Sequence, residues 1–191
     1  MKYKVIEMPT NNYTPKLTLT QRLQHIRYTK LERELKPLCK WVDFYDYIWS
    51  YNSINWKGKT VLDIGADIGS SALFFLMNGA YYVYLLEKDI KYRNIYKKLK
   101  QDYIILKNST MLNKKEIAKI KFDVLKMDCE GCELSLLTEK LLNKSKEFII
   151  GIHKPQLDDY QFEQKKRLLE KHGSKYFGNV NNEEFLWIKK E

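Results

Sequence analysis

The sequence predicts an α/β protein in which helices cover both faces of a mostly parallel sheet. From Lys59 onward, short and continuously apolar segments alternate with amphipathic segments of helical period. Strands that are apolar throughout are typical of parallel sheets buried on both faces. The chain has 191 residues, 44% of them hydrophobic, so it is long enough to bury one full core and is not a disordered tail.

Two helices are predicted before the alternating region, in an N-terminal helical extension over residues 1–56 that covers the cleft. Thr20 could cap a helix that continues through Leu35, and Pro37 ends it. Its apolar positions recur at helical spacing: Leu23, Ile26 and Leu31. A second helix, 38–51, is rich in aromatic residues, which indicates either packing against the neighbouring domain or the lining of a substrate cleft.

Residues 57–191 are predicted to form the α/β domain. The predicted strands are 60–63, 82–86, 103–106, 122–127 and 147–152, and the predicted helices are 70–78, 89–101, 113–119, 133–143 and 158–172. Two last segments, 175–177 and 184–188, flank Asn179 to Asn182 and predict a closing antiparallel hairpin.

The first predicted strand leads into a glycine turn. Asp63 ends the strand, Gly65 and Gly69 follow in G-x-x-x-G spacing, and Ala66 and Asp67 lie between them. Open parallel sheets bind nucleotide-like cofactors at such turns. A dinucleotide turn has a further glycine beside the pyrophosphate, where this chain has the negative charge of Asp67. The turn better suits S-adenosylmethionine, which has a sulfonium, an amino group and no phosphate, and Asp63 and Asp67 could both face that positive charge.

Glu87 ends the second predicted strand, 18 residues after Gly69. A carboxylate about 20 residues beyond the glycine turn can accept hydrogen bonds from both ribose hydroxyls. The predicted cofactor-binding residues are therefore Asp63, Gly65, Ala66, Asp67, Gly69, Glu87 and, from the next motif, Asp128.

That next motif reads D-V-L-K-M-D-C-E-G-C-E over residues 123–133. A buried strand delivers Asp128 and Glu130 to its carboxyl end, where open α/β sheets bind ligands. We expect Asp128 to lie beside the reactive end of the cofactor, and Gly131 permits a tight turn from strand to helix.

Together these motifs resemble the FkbM family of S-adenosylmethionine-dependent methyltransferases, over roughly residues 58–154. The resemblance implies a class I, Rossmann-like three-layer sandwich with a seven-stranded sheet whose last strand is antiparallel. It also implies O-methylation as the usual activity. The chain departs from the family pattern at Asp67, where asparagine is usual, and at Gly151, where an acid is often found.

His153 ends the fifth predicted strand and is the candidate general base, with Asp128 and Glu130 at the reactive centre. Methyl transfer to a hydroxyl is a displacement at carbon, so the enzyme must align donor and acceptor and remove one proton. A neutral imidazole suits that task near pH 7. The alternative interpretation is a histidine that bonds only to backbone.

The chain has three cysteines, and this odd, small number argues against a secreted disulfide framework. Cys129 and Cys132 have C-x-x-C spacing but lack a second ligand pair for zinc and a thioredoxin-like setting. We therefore expect neither a metal site nor a redox function. The family comparison places both cysteines at small packing positions.

The net charge is +10, and the predicted helix after Glu87 interleaves lysines with Tyr92 and Tyr96. Such a helix is typical either of nucleic-acid binding or of a solvated outer face. No long apolar stretch or signal-peptide pattern is present, which predicts a cytoplasmic protein without a membrane span. The predicted function is O-methylation of a saccharide or small molecule, and the alternatives are RNA methylation or a non-catalytic scaffold that binds nucleic acid or a partner.

Overall fold

The structure, a computed structural model, describes residues 19–180 and 184–189. Seven strands form one sheet in the order β3-β2-β1-β4-β5-β7-β6. Their bounds are β1 Thr60–Ile64, β2 Tyr82–Leu86, β3 Ser109–Leu112, β4 Val124–Met127, β5 Glu147–His153, β6 Lys175–Val180 and β7 Glu184–Lys189. β1, β2 and β3 pair in parallel, as do β4 and β5, whereas β7 is antiparallel to both β5 and β6. The predicted α/β fold with an antiparallel last strand is confirmed.

The helices are α1 Leu19–Leu35, α2 Phe44–Tyr51, α3 Ser70–Met77, α4 Ile90–Asp102, α5 Glu133–Leu136, α6 Glu139–Leu142 and α7 Asp159–Lys171. Aspartates fix three of the helix starts, because the side chains of Asp43, Asp89 and Asp158 accept backbone N–H bonds from the first turns of α2, α4 and α7. Across the described residues, none of the helices has both the length and the apolar character needed to cross a membrane.

The described residues divide into two compact units, with the boundary between Ile120 and Lys121. In the first unit, α1 and α2 pack on α3 through aromatic rings. Tyr28 stacks on Phe44 at 4.9 Å between ring centroids, and Tyr47 meets the edge of Phe74 at 6.1 Å. The aromatic residues of α2 are therefore mainly packing residues, and the predicted domain boundary at residue 56 stays a prediction.

In the second unit, every residue of β5 is buried, including the apolar run Phe148–Ile150. Phe162 and Leu169 of α7 are also buried, as the amphipathic pattern of that helix predicts. The last two strands agree with the predicted hairpin, but its predicted turn at Asn179 to Asn182 is partly wrong, because Asn179 and Val180 belong to β6. Residues 181 and 182 lie outside the described part of the chain.

The predicted strand at 103–106 is wrong, because this segment forms a 3-10 helix, Ile104–Asn108, and the strand follows it as β3. The amide of Leu106 donates to the carbonyl of Tyr103, and the Ser109 hydroxyl donates to the carbonyl of Leu106. Ile104 is 74% exposed, so the apolar run was not a strand buried on both faces.

The predicted inward face of α1 is also partly wrong. Leu31 is buried as the spacing predicts, but Leu23 and Ile26 are 60% and 69% exposed, and the helix also buries Tyr28 and Leu35. The second predicted helix begins late, at Phe44, because residues before Asp43 form turns.

The predicted helix 133–143 is two short helices, α5 and α6. Leu137, which ends α5, has an extended backbone, and the Thr138 hydroxyl then accepts from the amide of Leu141 and caps α6. A single continuous helix is therefore interrupted by a capping residue that the apolar pattern does not reveal.

Candidate functional site

The glycine turn links β1 to α3 and has a left-handed backbone at three positions. The φ angles are +79° at Gly65, +45° at Asp67 and +86° at Gly69. The amides of Gly65 and Ala66 both donate to the carbonyl of Leu86, at 2.9 and 3.3 Å, which ties the turn to β2. Aspartate tolerates a left-handed backbone better than most residues, so Asp67 suits this turn.

Position 69 requires glycine for two reasons: its backbone angle is left-handed, and a side chain would collide with its neighbours. A Cβ atom at this position would lie 2.9 Å from Cδ2 of Tyr96 and 3.5 Å from Cδ2 of Leu85. The Tyr96 ring is held in place by a hydrogen bond between its hydroxyl and that of Ser109, at 2.9 Å. The turn therefore passes close to the core with no side chain at this position.

Glu87 follows β2 and clamps the glycine turn. Its Oε2 accepts from the amide of Asp67 at 2.9 Å, and its Oε1 accepts from the amide of Asp89 at 2.7 Å. The residue is buried. Each carboxylate oxygen has a second lone pair, so these backbone bonds leave acceptor capacity for ligand hydroxyls. The predicted ribose contact stays a prediction.

Asp63 lies beneath the turn and is fully buried. Its Oδ2 accepts a hydrogen bond from the Ser71 hydroxyl at 2.5 Å, which joins the end of β1 to the first turn of α3. The position supports the glycine turn from the inside. Its predicted contact with a cofactor is not tested by this geometry.

The sequence did not indicate that Cys39 and Tyr92 belong to this neighbourhood. Burial raises the pKa of the Cys39 thiol, and the charges of Asp67 and Glu87 raise it further, while hydrogen bonds with the Trp41 backbone and the Tyr92 side chain oppose this. The segment before α2 therefore adjoins the glycine turn. No sequence signal could have indicated this proximity, because it depends on how α1 and α2 pack.

Four residues of the second unit form the histidine cluster, which consists of Asp128, Glu130, Glu133 and His153. The buried His153 ends β5, and its Nδ1 lies 2.9 Å from Oε1 of Glu133. Its Nε2 lies 3.4 Å from Oδ1 of Asp128 and 3.5 Å from Oε1 of Glu130. The structure thus brings together all three residues that the sequence predicts to be catalytic, and it adds Glu133.

Glu133 holds both the histidine and the loop before α5. Its carboxylate is fully buried and accepts from the amides of Gly131 and Cys129, at 2.8 and 3.4 Å. Burial alone would raise the pKa of this carboxyl, but the hydrogen bond from His153 and the backbone amides lower the pKa below its ordinary value. An ionised Glu133 orients the imidazole through Nδ1. In the sequence, Glu133 was indicated only by its position shortly after the acidic residues 128 and 130.

The accessible groups of the histidine cluster are carboxylates. The side chains of Asp128 and Glu130 are 36% and 57% exposed, whereas that of His153 is 9% exposed. Among residues 19–180 and 184–189, no group of three or more His, Cys, Asp or Glu side chains is placed to hold a metal ion.

Cys129 and Cys132 form a disulfide, so the expectation that they are only packing residues is wrong. The physical reason is the turn between them. Glu130 and Gly131 have φ angles of +52° and +99°, and this tight backbone brings the two cysteine Cα atoms to 5.5 Å. Cys39 is a free, buried cysteine.

Two curated proteins are similar to this chain in sequence. One is Uncharacterized protein 65 of Sulfolobus islandicus filamentous virus, 36% identical over 108 residues, which cover 56% of this chain and 68% of that protein. The other is Uncharacterized protein 158B of Sulfolobus islandicus rod-shaped virus 1, 38% identical over 117 residues, 60% of this chain and 72% of that protein. No protein-family model matches the sequence, so the FkbM resemblance stays a prediction.

Solved methyltransferases have a similar fold. Magnesium protoporphyrin IX methyltransferase of Synechocystis, solved with bound S-adenosylmethionine, aligns with a TM-score of 0.54 at 14% identity, over 92% of this chain and 98% of that one. Aeropyrum pernix fibrillarin, solved with natively bound S-adenosylmethionine, aligns with a TM-score of 0.53 at 13% identity, over 71% of this chain and 67% of that one. At these identities the similarity shows the fold alone, which is that of Rossmann-like methyltransferases.

Proposed function

The chain belongs to the same family as the two Sulfolobus virus proteins, and we propose that it is an S-adenosylmethionine-dependent methyltransferase that acts on a hydroxyl group. The glycine turn clamped by Glu87 is the observation that carries this proposal. It is found in a fold that solved S-adenosylmethionine-bound methyltransferases share. The resemblance to the FkbM motifs supports the same activity.

The residues of the turn fit this cofactor. Acids at positions 67 and 87 disfavour a pyrophosphate and favour a ligand with a positive charge and free hydroxyls.

We assign the cofactor contacts to the first unit. The backbone at Gly65 and Ala66 and the carboxylate of Asp67 would hold the charged methionine end, and Glu87 would accept from the ribose hydroxyls. Asp63 would contribute negative charge from beneath the turn. When bound, S-adenosylmethionine supplies an electrophilic methyl group on a sulfonium.

The histidine cluster would take up the proton that the acceptor hydroxyl loses. His153 is buried, and the more exposed carboxylates of Asp128 and Glu130 lie within 3.5 Å of its Nε2. We therefore propose that Asp128, Glu130 and His153 share this proton as one group. Glu133 fixes the orientation of the ring through its other nitrogen, Nδ1.

A saccharide or small-molecule hydroxyl is the acceptor that the FkbM resemblance favours. RNA is the second candidate, and one specific observation favours it. Residues 14–120 contain 19 Lys and Arg against 10 Asp and Glu, whereas residues 121–191 contain 13 of each. The excess positive charge of the chain is thus concentrated in the unit that contains the glycine turn, as expected if that unit binds a polyanion.

A methyl-transfer screen tests the proposal. Protein and S-adenosylmethionine with a labelled methyl group are incubated with saccharides, small hydroxyl compounds and RNA, and label in each acceptor is counted. We expect transfer to one acceptor class, and His153→Ala or Asp128→Asn should reduce its rate at least about 100-fold. Glu163→Gln, on the exposed face of α7, is the matched control. Cofactor binding without transfer to any class would favour the non-catalytic scaffold.

A further inference from the structure

The disulfide between Cys129 and Cys132 lies in the loop that builds the histidine cluster. Glu130 is inside the cross-linked segment, and Asp128 and Glu133 are directly next to its two ends. All three carboxylates contact His153. A change in the backbone conformation of this loop would therefore affect the position of each carboxylate in the histidine cluster.

The loop conformation is costly for its sequence. Glu130 has a φ of +52°, a left-handed angle that side-chain-bearing residues adopt only when their surroundings impose it. Gly131, at +99°, carries no such cost. Within the loop, the amides of Gly131 and Cys129 donate to the carboxylate of Glu133, and the second bond is long at 3.4 Å. The disulfide is the covalent tie that closes the turn around Glu130.

We propose that the Cys129–Cys132 disulfide is a redox switch that controls the histidine cluster. In the oxidised form the cross-link holds Glu130 and Asp128 against Nε2 of His153. In the reduced form Glu130 relaxes from its left-handed conformation, and the two carboxylates move away from the ring. This regulation rests on the proposed methyltransferase function, because the histidine cluster is the proton acceptor of that reaction.

The switching step is ordinary thiol–disulfide exchange with a dithiol reductant. One thiolate of the reductant attacks a cysteine sulfur, and the resulting mixed disulfide is resolved by the second thiol of the reductant. Two electrons and two protons pass to the protein, which gains two thiols, and the reductant becomes a disulfide. Cys129 and Cys132 are only partly buried, so a reductant can reach them.

The test compares oxidised protein with protein reduced by dithiothreitol. Titration of thiols after denaturation should give one thiol in the oxidised chain and three in the reduced chain, since Cys39 is free. The side-chain ¹⁵N resonances of His153 are then recorded in both forms, and the His25→Asn and His172→Asn variants allow their assignment. We expect the Nε2 resonance to shift on reduction and to return on reoxidation. Nδ1 should change less, because its partner Glu133 is fully buried and belongs to α5.

Activity gives the second readout. With the acceptor found in the screen, reduction should lower kcat at least about tenfold and leave KM for the acceptor nearly unchanged. The double variant Cys129→Ser/Cys132→Ser should have the low kcat of the reduced protein, and dithiothreitol should not change it. In Cys39→Ser, reduction should lower kcat as it does in the wild type. Unchanged His153 resonances after complete reduction would overturn the switch and leave the disulfide as a structural staple. Failure of S-adenosylmethionine to bind either form would instead be a failure of the proposed function.

Discussion

Gly69 combines two constraints that can be measured separately. Its φ is +86°, and an added Cβ would lie 2.9 Å from Tyr96. Gly58 has a similar φ of +75° with nothing within 4 Å, so Gly58→Ala measures the backbone cost alone. We expect Gly58→Ala to lower the free energy of unfolding by about 1 kcal/mol and Gly69→Ala by at least about 2 kcal/mol. Urea unfolding checks this, and equal losses would mean that the Tyr96 ring moves aside.

Glu133 should make the stability of the protein sensitive to acid. Because its folded pKa lies below the ordinary value of 4.5, its contribution is fully present above that pH and is lost as pH falls through the lower folded pKa. Glu133→Gln should therefore flatten the fall in unfolding midpoint as the pH drops below 4.5. His153 contacts Glu133 through Nδ1, and the charge of Glu133 also acts on Lys165, whereas Asp128 and Glu130 lie at the other ring nitrogen of His153.

Thermal unfolding at a series of pH values measures this effect, with Glu163→Gln as the matched control on the exposed face of α7. Parallel acid profiles for wild type and Glu133→Gln would show that the pKa of Glu133 is not lowered in the folded protein.

At the scale of elements, α2 is joined to α3 by aromatic packing and by a buried hydrogen bond. The hydroxyls of Tyr47 and Ser70 are 2.8 Å apart, and both residues are buried. Tyr47→Phe and Ser70→Ala should each lower the free energy of unfolding by about 1–2 kcal/mol. The double variant should lose less than the sum, with a coupling of about 1 kcal/mol. Strictly additive losses would mean that this bond does not couple the two helices.

The elements also indicate what the sequence could predict. Strands such as β1 and β5 were predicted because they are buried on both faces and read as continuous apolar runs. The run 103–106 has the same composition, but Ile104 faces solvent, and the polar Ser109 and Thr110 begin β3 instead. A local pattern does not report which face of a segment the rest of the chain covers.

The same limit applies to the candidate site. Gly65, Gly69 and Glu87 were predicted from spacing, because a turn between a strand and a helix is set locally. The approach of Cys39 to this turn and the pairing of Glu133 with His153 depend on packing between distant segments. The disulfide depends on the left-handed angle of Glu130, which its residue type does not favour.

At the scale of the whole molecule, the uneven charge distinguishes the two acceptor classes. Three lysines of α4 are exposed: Lys91, Lys97 and Lys98. Changing all three to glutamine should weaken RNA binding. It should also reduce the number of counterions released on binding, read from the slope of log K against log salt concentration, by up to about three. The same change at Lys140, Lys144 and Lys146, in the electrically balanced unit, is the matched control. Fluorescence anisotropy at several salt concentrations measures both. RNA binding that is absent, or equally weakened by both triple variants, would favour a small-molecule or saccharide acceptor.

The central claim is that the glycine turn binds S-adenosylmethionine, and titration calorimetry with that cofactor tests it most directly. We predict one site per chain and an affinity lowered at least about tenfold by Glu87→Ala. Asp67→Asn should also lower the affinity, because asparagine tolerates the φ of +45° but lacks the carboxylate charge. Circular dichroism of each variant confirms that it is folded. The absence of binding heat across a range of temperatures, or an affinity unaffected by Glu87→Ala, would contradict the claim.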